Sequence, residues 1–309
     1  MNDQVLIELS QVGKHYDHTE VLQAVDLTLH PGEMLALMGH NGAGKTTLIK
    51  LILGLIQADV GQLSVLGCAP GLRNQQIGYV PENVSFYPML TGRETLEYFA
   101  RLNGLSRKAA RQRSTALLDR VGLSPSADRR VKHYSKGMKQ RLGLAQALLP
   151  SVHRGGSETA PSLLILDEPT VGLDPIATLD FFRLLAELRE QGCGVIICTH
   201  VLPGLEPYLD SALILNRGRA VAQGRIDDLF VQADLPVSMA ARGLNGSLRS
   251  DRVLQQYAQT DDRLVFPASQ KLAVLQAALA YPALADIQVV SPGLPELYQH
   301  FLTQAETVQ

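Results

Sequence analysis

The sequence predicts an α/β fold built on a parallel sheet, and three observations predict it. Met34-Leu35-Ala36-Leu37-Met38 is a continuous apolar run that opens into a Gly-rich segment and then a helical pattern. Leu163-Leu164-Ile165-Leu166 is a second such run, closed by Asp167 and Glu168. After it, a helical stretch at 176–191 and an apolar run at 195–199 complete a strand–helix–strand order. Continuous apolar runs bounded by turns suit strands buried on both faces, as parallel strands are. The 309 residues, 46% hydrophobic and 19% charged, leave room for a large core and a second, smaller domain. The expected division is 1–224 and 225–309.

The first elements are strands. Val5-Leu6-Ile7-Glu8-Leu9 is β-rich, and 21–29 alternates, with Leu22, Ala24, Asp26 and Thr28 on one side and Val25, Leu27 and Leu29 on the other. His30-Pro31-Gly32 reads as a turn. Residues 46–56 read as a helix with a wide apolar face. Residues 84–150 read as a helical subdomain. It opens on Thr91-Gly92-Arg93-Glu94, which has the form of a capping box, and continues with helices at 107–121 and 137–149. The polar stretch 151–161 reads as an exposed loop. Residues 211–223 read as a hairpin around Asn216-Arg217-Gly218. Beyond 225, short strands (236–241, 262–266, 285–290) alternate with amphipathic helices (248–258, 268–280, 294–303), a small α/β appendage.

Composition excludes several classes. With 28 basic and 30 acidic residues the formal charge is −2, without the basic excess of a nucleic-acid binder. Cys68, Cys193 and Cys198 lack C-x-x-C spacing and read as small hydrophobes in a reducing compartment. The polar start, Met1-Asn2-Asp3-Gln4, gives no secretory leader. No apolar stretch reaches the ~18 residues of a membrane span. Any membrane work needs a partner that supplies the spans.

Two segments carry chemistry. Gly39-His40-Asn41-Gly42-Ala43-Gly44-Lys45-Thr46, followed by Thr47, fits G-x-x-x-x-G-K-[ST] between a strand and a helix. Its backbone N–H groups and the helix start can wrap phosphate oxygens. Lys45 is a point charge for the β- and γ-phosphates, and the Thr46 hydroxyl can ligate Mg²⁺. At the strand end, Asp167 would hold Mg²⁺ and Glu168 would polarise an attacking water. The two sets share one sheet edge if their strands are parallel neighbours. Together they mark a nucleotide hydrolase. A third segment, Tyr134-Ser135-Lys136-Gly137-Met138, offers another helix start capped by Ser135.

In this order the chain resembles the ATP-binding cassette ATPases of transporters. That family carries a phosphate loop, a Gln loop, an L-S-G-G-Q signature, an Asp–Glu strand end, a D-loop and a switch His. Here they stand at 39–46, Gly78-Tyr79-Val80-Pro81-Glu82-Asn83, 134–138, 163–168, Gly172-Leu173-Asp174 and His200. The resemblance covers roughly residues 4–224. It implies a P-loop NTPase cassette with a RecA-like parallel sheet, an antiparallel β subdomain and a helical subdomain. It implies ATP and Mg²⁺ as ligands, Tyr16 stacked on adenine, and His200 reading the γ-phosphate. It further implies a head-to-tail dimer in which Ser135, Lys136, Gly137, Met138 and Asp174 of one copy complete the site of the other. Glu82 stands where the family has Gln and can approach Mg²⁺ or the attacking water. Lys136 and Met138 also depart from the signature, whose Ser and second Gly remain.

Residues 77–103, 131–149, 165–179 and 200–204 are similar to one subgroup, the ATPase subunits of transporters that support nitrous-oxide reductase maturation. That similarity implies a multispan permease, a periplasmic accessory protein, and a copper or sulfur cargo for the reductase's copper cluster. The chain would lie on the cytoplasmic face of the inner membrane. The alternatives are an exporter ATPase for another substrate and a soluble, non-transport ATPase. The ~90 residues between phosphate loop and signature leave no room for the coiled coils of chromosome-type members, and one cassette is found where ribosome-acting members carry two.

Overall fold

The computed structural model of the protein describes residues 5–149, 153–154, 157–158, 161–199, 206–243 and 251–307. The chain divides into two compact units. One is Met1–His200 with Tyr208–Val221, and the other is Val201–Pro207 with Ala222–Gln309.

In the first unit, β1 (Ile7–Tyr16), β2 (Thr19–Leu29) and β4 (Val60–Val65) form an antiparallel sheet in the order β2-β1-β4. Over Leu9↔Leu27, Val12↔Val25 and Lys14↔Leu22 each strand carries one inserted residue, and the register shifts once more between Lys14 and His15. The insertions fall at Gln11 and Ala24, with φ of 53° and 47°, as bulges require. The bulge at Ala24 corrects the expected alternation: Leu22 lies buried on the same side as Val25, Leu27 and Leu29.

The second sheet has the order β11-β10-β3-β9-β8-β5. Its strands are β3 (Met34–Met38), β5 (Ile77–Val80), β8 (Leu163–Asp167), β9 (Gly194–Thr199), β10 (Ser211–Asn216) and β11 (Arg219–Arg225). The five from β10 to β5 are parallel, and β3 is buried along its whole length. Between the two sheets sits α1 (Lys45–Ile52), whose Leu48, Ile49, Leu51 and Ile52 join one core with Val25, Leu27, Leu37, Ile165 and Cys198. Burial at ~2 kcal/mol per such side chain makes this helix a fixed base for the loop before it. The helix is shorter than the expected 46–56. It ends at Gly54 (φ 67°), where the Leu55 N–H closes back onto the Lys50 carbonyl.

The helical part comprises α2 (Gly92–Leu102), α3 (Arg107–Arg120) and α4 (Lys136–Ala147). Thr91 and Glu94 make the expected reciprocal capping box. The described part of 151–161 is a two-residue antiparallel pair, β6 (His153–Arg154) with β7 (Ser157–Glu158), where a plain loop was expected. Then α5 (Pro175–Glu190) leads into β9. Cys193 and Cys198 are buried, Cys68 half-buried, and all three are free thiols.

In the second unit, α6 (Ile226–Ala233) was not anticipated. It is followed by β12 (Pro236–Arg242), β13 (Arg263–Pro267), α7 (Lys271–Leu279), β14 (Asp286–Val290) and α8 (Leu294–Thr307). The sheet runs β13-β12-β14, antiparallel, over a core of Val237, Met239, Leu264, Phe266 and Val274. The helix expected at 248–258 is not present in its described part. Residues 252–257 are turns, and Asp251 ties them by accepting from the Val253 and Leu254 N–H groups and from the Tyr281 hydroxyl. An Asp holding local N–H groups in this way competes with a regular helix.

Candidate nucleotide site

The carboxyl ends of β3, β9, β8 and β5 form one edge, where ligands bind in open α/β sheets. Register aligns Met38 with Thr199 and Asp167 with Cys198. The strands of the phosphate loop and the acid pair are parallel but not neighbours, because β9 lies between them. The edge thus reads phosphate loop, Thr199, Asp167–Glu168, then the segment after β5 with Glu82. His200, the residue after Thr199, lies outside the described residues.

The start of α1 is open to a ligand. Its N-cap is Gly44 (φ 109°), with no side chain capping the first-turn N–H groups, which leaves them and the helix dipole for an anion. Lys45 donates from Nζ to the carbonyls of Gly39 and, at 3.3 Å, His40. Thr46 and Thr47 follow on the first turn of α1, with Asn41, Gly42 and Ala43 in the loop before it.

Opposite lies crowded negative charge. Burial first, then the charges of Glu168 and Glu82, raise the Asp167 carboxyl above its ordinary value, against the pull of Lys45. The Tyr79 hydroxyl is pushed up to about 12, by burial and then by Asp167. The Cys198 thiol is pushed well up by burial, with Asp167 adding to it. Glu168 is buried and sits at φ 47°, its N–H donating to the Cys198 carbonyl at 3.0 Å. Among the described residues no three His, Cys, Asp or Glu side chains form a ready metal cage. A hard ion held by one carboxylate, a threonine hydroxyl and phosphate or water oxygens needs none. Mg²⁺ fits Asp167 and Thr46 on this ground, with Glu82 contributing charge to the same cluster, since a divalent cation offsets the burial of the Asp167 charge and its repulsion by Glu168 and Glu82.

The 134–138 segment stands at a helix start, on α4 rather than on the sheet edge. Tyr134 is buried, and its hydroxyl donates to the Ser126 carbonyl at 2.7 Å. Ser135 caps α4, its Oγ accepting from the Met138 N–H at 3.2 Å, and it is exposed with Lys136. Gly137 approaches the D-loop so closely that a Cβ there would lie 2.9 Å from the Gly172 carbonyl. Two residues on, Asp174 caps α5 by accepting from the Ala177 N–H at 2.9 Å. The structure therefore brings 134–138 and 172–174 together within one chain. Tyr16, at the end of β1, is 43% exposed, with the Lys14 ammonium 5.6 Å from its ring centre.

Three residues that adjoin these sets were not singled out by sequence reasoning. Tyr79 and the buried, unpartnered Thr199 hydroxyl both lie at the acid edge. The third is Asn216, which meets the His40 ring at 3.0 Å. Its Asn-Arg-Gly sequence signalled a hairpin, but nothing in the sequence ties it to a residue 176 positions away.

A parallel sheet edge that carries a glycine-rich loop, an uncapped helix start with its lysine, and an acid pair defines a nucleoside triphosphatase of the phosphate-loop class. A family profile described as ABC transporter matches residues 22–171. The Nod factor export ATP-binding protein I of Rhizobium etli is 36% identical over 228 residues, 72% of this chain and 69% of that protein. The linearmycin resistance ATP-binding protein LnrL of Bacillus subtilis is 29% identical over 312 residues, 95% of this chain and 97% of that one. A solved structure described as the ATP binding subunit of an ABC transporter is 36% identical, covers 74% of this chain and 92% of its own, and superposes with a TM-score of 0.64. The chain belongs to the ATP-binding subunits of ABC transporters, and its chemistry is the hydrolysis of ATP. No helix among the described residues is long and apolar enough to cross a membrane.

Proposed function

We propose that two copies of this chain close head to tail on two ATP molecules and drive a multispan permease of the exporter type. The observation that carries this is the pairing of 134–138 with 172–174 in one chain, apart from the loop at 39–46. That gives each copy a second anion-ready surface to present to a partner. Residues 1–224 serve as the ATPase and 225–309 as an accessory domain. Residues 39–47 wrap the phosphates, with Lys45 on the β- and γ-oxygens, and Tyr16 carries the adenine. Glu168 takes the proton of the attacking water, and His200 senses the γ-phosphate. When bound through Thr46, Asp167 and Glu82, Mg²⁺ supplies charge neutralisation at the phosphates. Ser135, Lys136, Gly137, Met138 and Asp174 face the partner copy's nucleotide. The aromatic stretch within 82–103, where Tyr87, Met89 and Tyr98 are exposed and Tyr87 stands edge-on to Tyr98 at 5.8 Å, faces the permease.

Within that class we assign the chain to nitrous-oxide reductase maturation, on the strength of segments 77–103, 131–149, 165–179 and 200–204. A periplasmic accessory protein joins through the complex, the cargo is copper or a sulfur species, and the chain works on the cytoplasmic membrane face. The exporter names of the two relatives support the second reading, an exporter ATPase for a different cargo. Tagged Glu168→Gln, extracted from native membranes in detergent with Mg-ATP, separates them. The variant should hydrolyse ATP ~10²–10⁴ times more slowly and should recover a multispan protein together with a copper-maturation protein. A multispan protein without that companion transfers the chain to the second reading. Normal turnover removes Glu168 as the base, and recovery from the soluble fraction alone overturns the transporter role.

A further inference from the structure

The phosphate loop has a wall of its own. The β10–β11 turn, Arg217-Gly218, has φ of 47° and 83°, the two positive values of a tight hairpin turn. The Gly218 N–H donates to the Ala43 carbonyl at 3.0 Å, and the Gln23 N–H donates to the Gly218 carbonyl at 2.8 Å. Gly39 passes so near β10 that a Cβ there would lie 2.7 Å from the Leu215 carbonyl. One side-chain pair joins these backbone contacts. Nε2 of the exposed His40 ring lies 3.0 Å from the Asn216 amide oxygen, and Nδ1 lies 2.7 Å from the Asn41 carbonyl. Asn216 is 8% exposed, at the last residue of β10.

A ring with one N–H can donate to only one of two oxygens. An amide presents its nitrogen after a half-turn. With Asn216 turned, its Nδ2–H donates to Nε2 while Nδ1–H donates to the Asn41 carbonyl, and both contacts are satisfied without a second proton. The imidazole then staples the loop to the end of β10. Lys45 donates to the carbonyls of Gly39 and His40, the same stretch. On the reading that Lys45 binds phosphate, the ligand draws the ammonium off those carbonyls. The Gly218–Ala43 hydrogen bond still holds the far end of the loop, and the His40–Asn216 pair is then the side-chain hold on its near end.

We propose that His40 and Asn216 are positioning residues for ATP, holding residues 39–43 in their anion-binding shape once Lys45 has turned to the phosphates. The test uses the full chain, a fluorescent ATP analogue for Kd, and kcat at saturating ATP. His40→Ala and Asn216→Ala should each weaken binding about five- to tenfold, the size of one lost hydrogen bond, with kcat lowered less than about threefold. The double variant should be no more than about twofold weaker than either single, because the two act as one unit. Unchanged Kd in His40→Ala overturns the proposal, and so does a double variant whose loss is the product of the singles. Should Asn216→Ala fail to fold, His40→Ala decides alone, since its side chain is exposed. Lys45→Ala in parallel tests the site itself. Retained ATP binding there sinks the phosphate-loop reading, whereas failure of the staple leaves the Lys45 effect intact.

Discussion

The starts of α1 and α4 are built from similar parts and finished differently. Of the five longer helices of the first unit, α2, α3, α4 and α5 each have a side chain that caps the first turn: Thr91, Ser106, Ser135 and Asp174. Only α1 has none. Lys45 stands on its first turn, and the half-buried Asp167 and buried Glu168 lie at the same sheet edge. The start of α4 is complete by itself. Ser135 satisfies the Met138 N–H and still has its own O–H to give. One end leaves its first-turn N–H groups without a side-chain cap, and the other is capped by Ser135 with the exposed Lys136 beside it. The contrast teaches that an uncapped helix in an otherwise well-capped unit marks the ligand more sharply than glycine content does.

Three experiments break or sharpen that contrast. The largest effect belongs to Lys45→Ala, which should lower ATP affinity more than about 100-fold, measured by equilibrium binding, because no other cation adjoins the loop carbonyls in the described contacts. Ser135→Ala should leave ATP binding by the single chain unchanged, destabilise the fold by about 1 kcal/mol as a lost cap, and depress hydrolysis at dimer-forming concentrations. Weakened single-chain binding would erase the distinction between the two helix starts. The smallest effect is in stability. Because the Asp167 carboxyl is raised in the folded protein, the folded state holds more protons than the unfolded one just above the ordinary carboxylate value. Stability therefore falls as pH rises through that window. Without nucleotide, Asp167→Asn should melt higher than the parent at neutral pH, and the difference should vanish below pH ~3.8, where both forms are protonated. A lower melting point at neutral pH would remove the charge crowding from the acid edge.

The fold was legible where apolar runs are pure and less so where the backbone departs from regular geometry. Met34–Met38 could be read as a buried parallel strand because every residue is apolar, and the Thr91–Glu94 box because its chemistry is local. The inner face of β2 was misread at Leu22, since the shift comes from a non-glycine residue, Ala24, at positive φ, which no periodicity reveals. The position of β9 between β3 and β8 is a tertiary fact that chain order leaves open. At the site, motif spacing named the loop and the acids. The His40–Asn216 pair depends on a contact across 176 residues, and local pattern carries no trace of it.

Glu168 holds a left-handed backbone conformation that costs a non-glycine residue on the order of 1 kcal/mol. Glycine would fit the turn with less strain, yet on the proposed role of Glu168 as the base it has no carboxylate to offer the water. The position therefore sets folding against chemistry. On that proposed role, selection for a tougher protein alone would drift toward glycine there and silence the enzyme, and the strained backbone at residue 168 would be the trace of a chain kept for its turnover rather than for its endurance.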